Sequence, residues 1–164
     1  MQDLFGLDYF SILDIALSAL CLILILLRVN VLKRKYIEFE YYKYYSQNVY
    51  FKLFLSLVYA IYYIVVVGGG DTLAYWDGGL KMQELFWKSP TMYFQEMIND
   101  PNMSMYGSHF DMSTGYPPGW IYREKESWFI SKIMSVFTFF TFKSYLVATL
   151  VMAYLSSISS WKLF

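Results

Sequence analysis

The residues best suited to chemistry gather in GGGDTLAYWDGG, residues 68–79. Asp71 and Asp77 are carboxylates able to take a proton from a sugar hydroxyl. Tyr75 and Trp76 lie between them, and Trp120 further on; all three offer aromatic faces of the kind on which sugar rings pack. Arg123, Lys125 and Lys132 form a basic group able to hold a phosphate, the guanidinium through paired hydrogen bonds. Each of these has a plainer reading. Asp71 fits the N-cap of a short helix, TLAYWD, and Asp77, just before Gly78 and Gly79, fits a helix end. Trp and Tyr populate the interfacial belts of membrane proteins generally. The REKE run, residues 123–126, fits an ion-paired junction, and Lys132 a side chain that snorkels out of an apolar helix.

Other chemistries find less support. His109 and Asp111, in SHFDM, would have to join Asp71 and Asp77 around a divalent metal, yet no HxxxH, CxxC or EF-hand spacing is present. No cofactor and no metal ligand is therefore expected. The glycine run lacks the Lys-Ser/Thr that cradles a nucleotide. Cys21 is the single cysteine and sits inside an apolar block, where thiolate chemistry is disfavoured. The net charge is zero, so nothing argues for a nucleic-acid partner.

The elements that position these residues are set by the solvent. Of the 164 residues, 57% are hydrophobic and only 16% charged, and the apolar residues come in blocks. That composition predicts an all-α integral membrane protein. The run ILDIALSALCLILILL within residues 10–32 is one span, and Val49–Val67 a second, each near the ~20 residues that a bilayer requires. Apolar sequence resumes at Trp128. One helix over 128–160 would bury Lys143 at mid-membrane, at a cost of at least about 2.5–3.5 kcal/mol. A turn at Phe142–Ser144 avoids that, so about four membrane helices are expected, the short third one tilted or partly re-entrant. The organisation expected is an N-terminal hairpin (1–67), a long extracytoplasmic loop (68–127) and a second hairpin (128–164). Within the loop, Leu80–Lys88 and Pro90–Asn99 read as short amphipathic interfacial helices, the latter with Ser89 as cap and Pro90 at its first position. Residues 102–122 read as irregular.

Charge sets the expected orientation. The connection between the first two spans carries Arg28, Lys33, Arg34, Lys35, Lys43 and Lys52 against Glu38 and Glu40. The 68–127 stretch carries eight carboxylates against four basic residues, and the N-terminal segment has only acidic ones, Asp3, Asp8 and Asp14. The positive-inside rule then places the N-terminus and the long loop outside the cytoplasmic (inner) membrane, with Lys143 on the cytoplasmic face. Lys162 alone departs from this pattern.

The order of a helix, the basic turn Lys33–Lys35, a second helix, then Gly69, Gly70, Asp71, Thr72 and the pair Tyr75–Trp76 resembles the N-terminal part of EpsG-type polysaccharide polymerases of the Wzy class. ESWFISKI followed by FKSYL extends the likeness, and the membrane glycosyltransferases of the GT-C type show a related plan. The resemblance implies transfer of lipid-linked sugars, such as a polyprenyl-linked glycan, on the extracytoplasmic side, with Asp71 as the central acid. Two departures stand against it. The arginine that precedes the family's G-x-D motif is absent, residues 64–68 being IVVVG, and the family has many more helices. The chain is thus expected to be either the N-terminal part of such an enzyme or a small non-catalytic membrane subunit. The latter would dock its Met- and aromatic-rich outer loop on a larger membrane complex. Membrane lipid is a partner in both cases.

Overall fold

The computed structural model describes residue 9 and residues 11–39 and 41–163, Lys43 without its side chain. Asp3, Asp8 and Glu40, used in the charge argument, lie outside the described residues. Every described element is helical: α1 (Ile12–Lys35), α2 (Tyr42–Tyr62) extended by a π-helical turn (Tyr63–Val67), α3 (Asp71–Lys88), α4 (Pro90–Ile98), α5 (Met103–His109), α6 (Gly119–Arg123), α7 (Lys125–Phe140) and α8 (Tyr145–Lys162). The chain forms two compact units, one of Met1–Val67 with Ser144–Phe164, the other of Gly68–Lys143.

The first unit contains α1, α2 and α8. Ile12–Lys35 and Tyr44–Val67 are each long and apolar enough to cross a membrane; α7 and α8 reach that threshold only together, as a pair broken between them. Ser11 starts α1 with a capping box, its hydroxyl accepting from the Asp14 N–H at 3.1 Å while the Asp14 carboxylate accepts from the Ser11 N–H. Asp14 therefore belongs to the first helical turn. Ile25 and Val29 of α1 pack with Tyr45, Val49 and Leu53 of α2 and Leu150 of α8. The direction of α8 follows from contacts at its two ends. Trp161 packs on Tyr42 and Tyr45 with ring centroids 5.9 and 5.3 Å apart. The Lys52 ammonium donates to the Ser160 hydroxyl at 2.7 Å and to Ser156. At the other end, Tyr145 meets Tyr9, just before α1. So α8 runs antiparallel to α2, and its first residue stands at the end of the unit where α2 finishes.

The second unit has its own core. Met82, Leu85, Tyr93, Phe110, Ile121, Tyr122 and Trp128 are buried together, with Tyr75, Phe86 and Tyr106 packed around them. α3 and α7 make its principal helix pair. Two expectations are corrected by it. Residues 71–88 form one helix rather than two short ones, because Gly78 and Gly79 admit α7: a Cβ on Gly79 would lie 2.9 Å from the Ser135 backbone nitrogen, and one on Gly78 2.6 Å from the Ser131 hydroxyl. Residues 102–122 are not irregular throughout, since α5 and α6 form within them, α5 capped by the Asn102 side chain, which accepts from the Ser104 N–H. α4 starts as its sequence predicts, with Ser89 as cap and Pro90 first. A break separates α7 from α8 at the predicted place, where Phe142 and Lys143 take φ of 53° and 62° and Ser144 caps α8. The Lys143 ammonium pairs with Glu84. The expected return of the chain at Lys143 to the end where α1 and α2 connect does not agree with the direction of α8, which begins at the opposite end.

Candidate functional site

The residues singled out from sequence fall mostly in the second unit, where their surroundings differ. Gly70, at φ 105°, is the N-cap of α3, so Asp71 is the first helical residue and not the cap. Its carboxylate is exposed, in the first turn, where the helix dipole favours negative charge. Asp77 is half-buried and pairs with Lys81 one turn on, at 3.6 Å. Six helical positions place the two carboxylates about 120° apart around the axis. Trp76 is buried in the interior, where no sugar ring reaches it, and Tyr75 packs on the core. Trp120 is half exposed and Arg123, at the end of α6, is exposed.

Lys125 and Lys132 do converge. Both line a surface pocket of about 410 Å³ with Asp100, Pro101, Glu126, Phe129 and Ile130. Each ammonium already has a partner. Lys125 bonds Asp100 at 2.8 Å, which raises its pKa above the ordinary lysine value. Lys132, nearly buried, donates to the Asn99 carbonyl at 2.6 Å, just past the end of α4. It neither snorkels nor points a free charge into the pocket; it ties α7 to the 99–102 turn.

The most developed polar cluster was not visible as a site in the sequence. Glu96 on α4 is buried, and its Oε1 lies 2.8 Å from His109 Nδ1 and 3.0 Å from the Tyr122 hydroxyl. The same hydroxyl is 3.1 Å from the Asn102 carbonyl. Burial, and after it the Glu96 charge, push the Tyr122 phenol above its ordinary range, so it stays a donor. One signal existed: Glu96 shares the face of α4 that carries Tyr93 and Met97, a charge placed among core residues. The cluster can hold α4, α5 and α6 in register, and it presents a carboxylate–imidazole pair of the sort used in proton transfer.

His109 and Asp111 do not join one metal site. His109 faces Glu96, whereas Asp111 bonds Lys88 at 2.7 Å and closes a turn by accepting from the Ser113 and Thr114 N–H groups. Those bonds hold the Asp111 carboxyl well below the usual carboxylate range, the Lys88 bond contributing most. Among the described residues, no three of His, Cys, Asp and Glu group closely enough to hold a metal ion.

Compared with the known protein families, with curated proteins and with solved structures, the chain matches none.

Proposed function

We propose that the chain is a membrane subunit of three crossings, α1, α2 and α8, the last falling short of a full span by itself but packed on the first two; it carries the Gly68–Lys143 unit on the extracytoplasmic face of the cytoplasmic membrane and contributes binding there rather than bond-making. The direction of α8 supports the crossing number: α2 ends and α8 begins at the same end of the first unit, so the chain between them leaves and re-enters the membrane on one side. With the basic 28–52 connection in the cytoplasm, that side is the outer one. Lys162 then falls on the cytoplasmic side and no longer departs from the charge pattern. A four-crossing arrangement would need α8 to run the other way.

The observation that supports the non-catalytic role is that most of the candidate groups are paired or buried within the unit. Asp71 is exposed, Asp77 is tied to Lys81 on another face, and Trp76 is interior. Lys125 and Lys132 are each engaged within the unit. In this reading the outer unit docks on a larger membrane complex. The glycan-transfer reading, in which the chain supplies part of an enzyme for lipid-linked sugars, keeps one specific support. Asp71 has no capping duty, and its charge is open to a ligand.

Asp71→Asn separates the two. In cells carrying the full-length variant at normal abundance, the subunit reading expects glycan production unchanged, since removing one exposed charge disturbs no contact. Were Asp71 the general base, output would fall by ~10²–10⁴, and the transfer reading would replace the subunit one.

A further inference from the structure

α7 turns hydroxyl residues inward beside Trp128 and leaves an apolar stripe outward. Ser131, Ser135 and Thr138 are fully buried, and the latter two bond their hydroxyls to the carbonyls of Lys132 and Ser135, both at 2.7 Å. The opposite face carries Phe129, Ile133, Val136 and Phe140, exposed by 59, 39, 41 and 76%. Their spacing of four, three and four places them within an arc of about 60° along three turns. A soluble amphipathic helix turns such a stripe inward and its hydroxyls outward. Small hydroxyl residues at the helix contact with large apolar ones outward are the pattern of a helix bathed in lipid. The stripe also ends within five residues of α8, an apolar helix of the first unit.

From these observations we infer that α7 lies on the outer leaflet as an interfacial helix, its Phe129–Ile133–Val136–Phe140 stripe in contact with acyl chains. The inference rests on the three-crossing reading, which returns the chain to the membrane at Ser144 on the side where it left at Val67. A crossing α7 would arrive at the wrong face. The stripe is too narrow to wrap a helix lipid-exposed on all sides, and its polar end, Lys125 and Glu126, marks where α7 leaves the headgroup zone. The occupant is lipid, and the outer unit is held on the membrane along a helix as well as by its two tethers.

Nitroxide labels on single cysteines at 129, 133, 136 and 140, in a Cys21→Ser background of the full chain in phosphatidylcholine/phosphatidylglycerol vesicles, test this. Collision with oxygen and with a water-soluble nickel complex reports depth. The expected result is high oxygen accessibility at all four sites, with depths that agree to within about one helical turn, ~5 Å. Depth increasing steadily from 129 to 140, by the ~16 Å that eleven residues of a crossing helix require, would overturn both the inference and the three-crossing reading. Labels shielded from both reagents, or open to nickel, would mean a protein partner or water on the stripe. Either would overturn the inference alone, because the sidedness of the tethers is measured separately.

Discussion

Glu96→Ala is expected to destabilise the Gly68–Lys143 unit by about 3 kcal/mol, the upper end of the cost of leaving a buried polar group without its partner. The substitution leaves His109 Nδ1 facing a void and the Tyr122 hydroxyl with only the Asn102 backbone, both nearly inaccessible to water. It also frees α4 from α5 and α6 at once. Denaturation of the full chain in detergent, followed by tryptophan fluorescence, reads this unit well, since Trp76 and Trp128 lie in its interior. Tyr122→Phe removes one donor and should cost less. An unfolding midpoint unchanged by Glu96→Ala would mean that the cluster does not hold the unit together.

Gly79→Val is expected to cost the same unit about 1–3 kcal/mol, at the upper end because the clash is with backbone. The added Cβ would meet the Ser135 nitrogen at 2.9 Å and the Met134 carbonyl carbon at 3.0 Å, atoms that move only if α7 moves. Gly107→Ala on α5 is the contrast. Nothing stands within 4 Å of the added methyl, so helix propensity alone acts and stability should rise, by up to about 1 kcal/mol. Paired unfolding curves of the two variants check both signs. A neutral Gly79→Val would show that α3 and α7 do not need their close contact.

The same glycines show what can be read from sequence and what cannot. Gly68 and Gly70 behave as their type suggests, both at positive φ in the turn before α3. Gly78 and Gly79 carry the same local signal, of a helix ending, yet the helix passes through them. Their role is set by α7, fifty residues away, which no local rule sees. Ser89–Pro90 and the first two apolar blocks were legible because capping and span length are local or compositional. The direction of α8 was not. It depends on Trp161 meeting Tyr42 and Tyr45 and on Lys52 meeting Ser156 and Ser160, contacts between distant segments. The odd charge of Lys162 was the one hint. Glu96 was hidden for the opposite reason: its neighbours advertise an amphipathic helix, and a carboxylate in such a helix is ordinarily assigned to water.

In the proposed three-crossing arrangement, 68–143 and the end of α8 lie on opposite sides of the membrane. Single cysteines at Ser104 and Leu163, both exposed, in a Cys21→Ser background, test it with a membrane-impermeant maleimide on intact spheroplasts. Three crossings predict that Ser104→Cys is labelled at once and Leu163→Cys only after the membrane is permeabilised. Labelling of both sites from outside would contradict the account and restore four crossings.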